Sequence, residues 1–249
     1  AAQFAVFTGL AAFGPTLVLG LGYFGGQEKK ASLCFGIVIA CGGAVGTPVG
    51  GYIADKMGKA EVEPTDEKDM SQVDRLAERQ RALQVMVVML STTLCVAVCC
   101  AFATSQTVFV VLLFLTISLA CGVAASITMA ILSCVSLELQ ALAMSLSTLG
   151  MHIFGAVPAP VIIGFLRGQL APDCVTVRAE DGTMSLSSDC RKNAFGLRII
   201  LFAIVSWLFV AVFFWSCALL SVRSKVAKQA TYAPMSDSPK ERDEVDHRE

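Results

Sequence analysis

His152 is the one ionisable side chain near the middle of any long apolar stretch in this 249-residue chain. It completes a stripe. Ser145, Thr148 and His152 fall at i, i+3 and i+7, which places three polar groups on one face of a helix. An ionisable residue in apolar surroundings is a site hypothesis by default, and histidine changes charge within the physiological window. The chemistry expected of the stripe is hydrogen bonding to a solute in a cavity, with proton coupling as a further role. The competing reading is a structural histidine bonded to a carbonyl of a neighbouring helix. Just beyond it, Pro158 and Pro160 each remove a backbone donor and crowd the preceding turn, so the helix is expected to break there.

A second group of residues sits at the end of another apolar stretch. Gly42, Gly46 and Gly50 repeat every four residues, which puts three glycines on one helix face and lets a neighbouring backbone approach closely. Gly51, Asp55, Lys56, Gly58 and Lys59 follow. Gly58 permits the positive φ of a tight turn. Asp55 can accept bonds from free N–H groups at a neighbouring helix N-terminus, where negative charge is favoured. A latch of this kind can break and re-form; the alternative is an ordinary helix end with snorkelling lysines.

Several chemistries have no residues to carry them. No Gly-rich loop ending Gly-Lys-Ser/Thr is present, nor any His-Glu-x-x-His or Cys-x-x-Cys, and Cys95 and Cys99 are four apart. Paired carboxylates inside the apolar stretches are also missing. The expectation is therefore no enzyme, no cofactor and no metal. Glu138 stands at the start of the fifth apolar stretch, where it favours the helix N-terminus; a gating role is the alternative.

The elements that hold these residues follow from composition. The chain is 55% hydrophobic and 16% charged, against about 25% charged in a soluble domain. From Ala82 to Leu166 the only Asp, Glu, Lys or Arg is Glu138. A bilayer imposes such a run, because each charge at its centre costs about 2.5–3.5 kcal/mol. A net charge of −1 provides no basic footprint for nucleic acid. Unbroken apolar runs of about twenty residues exclude an outer-membrane barrel, whose strands alternate in segments of about ten. A helix needs about 20 apolar residues to cross the hydrocarbon. Six stretches qualify, at 4–24, 32–54, 83–103, 107–131, 139–166 and 197–222. The fold class expected is an all-α membrane protein: residues 1–222 as a six-span bundle and 223–249 as a disordered tail.

Long polar segments occupy 55–82 and 167–196. Twelve Lys and Arg lie on the side of the first of these and the tail, against seven on the other side, so the tail is expected in the cytoplasm. Cys174 and Cys190 share the loop assigned to the outside, where an oxidising compartment would let them close a ring of 17 residues, worth about 3 kcal/mol in the chain-entropy model. Two free thiols are the alternative. Within the first polar segment, Asp69–Arg81 reads as a short surface helix with Met70, Val73 and Leu76 on one face. The chain is already apolar by Phe4 with no basic segment before it, so the start is expected to be a piece of a longer protein rather than a signal peptide.

Gly51–Lys59 resembles the cytoplasmic loop signature of the major facilitator superfamily, which follows the second helix of each six-helix half. Here it follows the second of six spans. The resemblance implies one half of a major-facilitator fold, the C-terminal half given the abrupt start, with a missing N-terminal six-helix half as partner. The fifth span, from Ala143 through His152, Gly155, Pro158 and Pro160 to Gly164-Phe165-Leu166-Arg167, resembles the eleventh helix of Spinster-like lipid transporters. The second span, with Phe35-Gly36, Gly43, Gly46-Thr47 and Gly50-Gly51, is similar to that family's eighth. The chain departs at Ala156, where the family has Asp, and at Ala159, where Ser is usual. The resemblance implies a secondary transporter working by alternating access, in a plasma or endolysosomal membrane, with an amphipathic substrate such as a lysolipid, a sphingolipid-like molecule or another organic anion. A sugar carrier would want several Asn, Gln and Trp in its spans; the only Asn, Asn193, lies outside them and both Trp, Trp207 and Trp215, lie in the last. A non-transporting scaffold or receptor is the reading from another class. The bilayer and a small amphipathic molecule are the further partners expected, and nucleic acid is not.

Overall fold

Six helices in the computed structural model are long and apolar enough to cross a membrane. The structure describes residues 1–58, 72–132, 135–174, 176–178 and 184–232. In chain order the helices are α1 (Ala2–Gly20), α2 (Glu28–Gly58), α3 (Gln72–Phe102), α4 (Gln106–Leu132), α5 (Gln140–Met151), α6 (Pro158–Leu170) and α7 (Ala194–Tyr232). A π-helical turn at His152–Ala156 joins α5 to α6, so these two make the fifth span. The loop after α6 carries a small antiparallel hairpin, β1 (Thr176–Arg178) and β2 (Met184–Leu186), in the register Thr176↔Leu186.

Several helices outrun their apolar stretches. Asp69–Arg81 does not form a separate surface helix. From Gln72 onward it is the first part of α3, because no Gly or Pro between Gln72 and Phe102 interrupts the hydrogen-bond ladder; residues 69–71 lie outside the described residues. The polar loop expected at 55–82 is shortened from both ends accordingly. The expected tail also begins late. α7 continues through Arg223 and Lys225 to Tyr232, since nothing in that sequence stops a helix until Pro234. At 39 residues it is about 58 Å long, roughly twice the hydrocarbon thickness. Residues 233–249 lie outside the described residues.

The largest fully buried side chains, among them Leu17, Met86, Leu90, Phe109, Leu197, Ile200 and Leu208, come from α1, α3, α4 and α7. α2 packs chiefly on α4, α3 on α4 and α7, and α1 on α7 and the fifth span. The α2–α4 contact is made by small residues. A Cβ on Gly46 would fall on the Ser118 carbonyl, and one on Gly50 would fall on the Gly122 backbone. Only glycine admits that approach, which in lipid replaces the hydrophobic drive that helices lack there. The glycine row read from α2 thus finds its partner in Ser118 and Gly122 of α4.

The α1–α2 connection is tied down by side chains. Tyr23 donates its hydroxyl to the Ala103 carbonyl at 2.6 Å, and the Phe24 N–H donates to Gln106 Oε1 at 3.1 Å. Phe24 is held left-handed at φ 59°, a conformation that a bulky residue adopts only under such constraint. Burial pushes the Tyr23 phenol up while Arg198 opposes it, so the hydroxyl keeps the proton it donates.

Candidate functional site

The fifth span carries the polar stripe and is the least covered span. Of its most apolar stretch 17% is buried, against 50% in α3. Ser145, Thr148 and His152 all lie exposed on it. The two hydroxyls are already engaged: Ser145 donates to the Ala141 carbonyl and Thr148 to the Met144 carbonyl, each at 2.9 Å. This is the usual back-bond of Ser and Thr in helices. His152 differs. Its ring stands edge-on to Phe4 with centroids 5.0 Å apart, and its nitrogens have no hydrogen-bond partner among the described residues. Alongside, Gln3 donates its side-chain amide to the Ala120 carbonyl and so ties α1 to α4.

Pro158 and Pro160 do not break this helix. The chain passes from α5 to α6 through the π turn, where the Val157 N–H reaches back five residues to the His152 carbonyl at 3.0 Å. Val157 itself keeps helical angles. One extra residue in the turn takes up the crowding that a proline ring would impose on the carbonyl four residues earlier. Gly155 is buried in the turn, where a Cβ would meet the Ala1 carbonyl. The sequence signals a disturbed helix here, with two prolines at i and i+2 preceded by a glycine in an otherwise apolar run, but not that the helix widens rather than breaks.

The turn also borders a cavity of about 210 Å³ between α1, α6 and α7. Its wall is apolar, including Phe154, Pro158, Ile162, Ile204 and Trp207. The polar exception, Ser206, bonds to its own helix through the Ala203 carbonyl. No residue of the stripe lines it.

At one end of the bundle, Cys174 and Cys190 are joined by a disulfide and fully buried. Arg167, at the end of α6, donates through Nε to the Cys174 carbonyl at 3.0 Å, with a second bond from Nη2. Asn193 donates to Asp173 at 3.0 Å. Close glycines complete the knot: a Cβ on Gly20 would strike Leu197 and the Cys190 sulfur, and one on Gly196 would strike the Leu170 carbonyl. The ends of α1 and α6 and the start of α7 are thereby locked together. Sequence reasoning singled out the cysteines and missed Arg167 as their companion.

At the other end, Gly51 lies in α2 with open space beside it. Asp55 and Lys56 are exposed on the last turns of α2, and Asp55 has no hydrogen-bond or ion-pair partner among the described residues. Gly58 is the last helical residue, and Lys59 lies outside the described residues. The structure does not bring this group to the stripe, nor to a helix N-terminus of this chain.

No curated protein and no solved structure matches the chain. A family model does match residues 63–170, which take in α3, α4 and the fifth span with its stripe and wide turn. Over these residues the chain is similar to the Organic Anion Transporter Polypeptide (OATP) family, a transporter family of the major-facilitator type.

Proposed function

We propose that this chain is a six-helix half of a secondary transporter that carries an amphipathic organic anion by alternating access. The observation that carries the reading is the OATP match across the third, fourth and fifth spans. It is supported by a wide turn in the middle of a span, a feature that gathers at functional sites, and by the exposed His152 beside it. The apolar cavity favours a solute with an apolar body over a sugar. A lipid-like anion of the kind the Spinster resemblance implies belongs to the same class of substrate.

In this reading a second six-helix half precedes Ala1 and packs against the exposed faces of α2 and the fifth span. Asp55 meets a helix N-terminus of that half and forms the latch, on the cytoplasmic side where the Lys and Arg excess places the tail. His152 faces the path between the halves.

The test is uptake by the full-length gene product in proteoliposomes, with carboxyfluorescein as a membrane-impermeant organic anion and glucose as a polar control. Saturable carboxyfluorescein uptake, severalfold above protein-free vesicles and competed by stearate, is expected. Glucose uptake alone would move the assignment to a sugar carrier. Uptake of neither would leave the scaffold reading in its place.

A further inference from the structure

The wide turn leaves backbone acceptors without donors in the middle of a membrane span. The Val157 N–H is engaged with His152. Residues 158 and 160 are prolines and have no N–H. From residue 161 onward the α-helical ladder of α6 bonds back to Val157 and later carbonyls. The carbonyls of Ile153, Phe154, Gly155 and Ala156 therefore share one intrahelical donor, the N–H of Ala159. At least three of the four are left open, and no described side chain donates to them. Backbone of this kind is tolerated at membrane depth only where protein, water or a ligand supplies the missing partners. The cavity supplies the place beside one of the four: Phe154 lines it, together with Pro158 and Ala159 of the following turn.

We infer that the cavity beside the π turn is a binding site for the apolar body of an amphipathic molecule whose neutral hydrogen-bond donor, a hydroxyl or amide N–H, bonds an open carbonyl of the turn at Phe154. Three features select this chemistry. The wall is apolar and roomy: a dry apolar cavity of about 150 Å³ is enough to admit benzene. The open groups are all acceptors, so the ligand must donate. No carboxylate is among the residues that line the cavity to offset a full positive charge, and a cation stripped of water in low dielectric needs one. The inference rests on the reading of the chain as a carrier of amphipathic anions, and it names the feature of such a substrate that the fifth span recognises.

Hydroxystearate and stearate form a matched pair of probes, alike except for one hydroxyl. Binding is read from Trp207 emission in full-length protein in nanodiscs with every other tryptophan, Trp215 included, replaced by Phe, because Trp207 lines the cavity. Hydroxystearate is expected to bind about tenfold more tightly, equivalent to about 1.4 kcal/mol. In Pro158→Ala/Pro160→Ala, two N–H groups are restored to the turn, one of the four carbonyls stays open, and the ratio of the two affinities should fall severalfold toward one. Should that variant not fold, Pro160→Ala restores one donor and should lower the ratio part of the way. Ala203→Phe, which fills the cavity, should weaken both acids together. Equal affinities in the wild-type protein, or a ratio that survives the proline replacements, overturns the inference. Carboxyfluorescein uptake separates it from the transport reading. A tenfold ratio without uptake retains the site and removes transport; uptake with equal affinities does the reverse.

Discussion

Where α2 meets α4, Gly46 and Gly50 set backbone against backbone, whereas the fifth span turns Leu146, Leu149, Val157 and Val161 outward and buries only Gly155 of its wide turn. Both regions are apolar and both contain helix-weakening residues. The difference lies in what those residues face. In lipid there is no hydrophobic drive to press two apolar helices together, so association depends on how near the backbones come. Glycines four residues apart on α2 meet a second small-residue row, Ser118 and Gly122, and the helices close up. On the fifth span the glycine and prolines are spent on a change of helical register instead. That span is held at two points: at its middle by α1 against the wide turn, and at its end by the Arg167 bonds to the disulfide loop. One contact is a fixed pivot, the other a segment anchored at points.

The strongest way to break this contrast is at the pivot. Gly46→Leu drives a side chain into the Ser118 backbone, which no rotamer relieves, and overpacking of this kind costs about 3 kcal/mol or more. We expect loss of folded protein by size-exclusion chromatography and proteolysis. Recovery of a wild-type melting curve would show that the helices do not meet there. Cys190→Ser comes next, at about 3 kcal/mol in the chain-entropy model. It should lower thermal stability and release the end of the fifth span, seen as faster hydrogen exchange at 163–170; unchanged exchange there would mean that Arg167 needs no disulfide to hold it.

His152→Leu tests the loose region. With no partner among the described residues to strand, it should leave stability within about 0.6 kcal/mol, the average of an interhelical bond, while lowering carboxyfluorescein uptake. A clear drop in stability with full uptake would make it a structural residue. His152→Gln keeps hydrogen bonding but does not titrate between about pH 5 and 8, so a wild-type pH profile of uptake in this variant would exclude proton coupling through the imidazole. Asp55→Asn should preserve folding and reduce uptake by shifting the balance of two states, through an interaction of about 0.3–1 kcal/mol. Unchanged uptake and unchanged gate accessibility would remove the latch. The smallest effect belongs to Gly51→Ala. Nothing lies within reach of its new methyl, so stability should change by less than about 0.5 kcal/mol or rise slightly. Set beside Gly46, it tells contact from mere glycine content.

The six spans were legible in the sequence because charge is excluded from hydrocarbon: the run from Ala82 to Leu166 with Glu138 alone admits no other reading. The glycine row of α2 was legible for a similar reason, since a period of four on a helix is a face whatever lies opposite. Helix ends were not. Charged residues leave the bilayer without leaving the helix, so α3 begins at Gln72 and α7 runs to Tyr232, beyond the apolar limits. The identity of the row facing α2, Ser118 and Gly122, depends on which helix becomes its neighbour, and local pattern holds no record of that. Likewise the two prolines announce that donors are missing, but whether the chain breaks or widens is decided by packing. Here Gly155 lets α1 approach, the turn gains one residue, and the helix passes through. The sequence by itself determined where the chain crosses hydrocarbon, because the solvent imposes that on each residue in turn. Which backbones touch, and whether the fifth span breaks or widens at its prolines, was decided by the tertiary structure, because both depend on groups far apart in the chain.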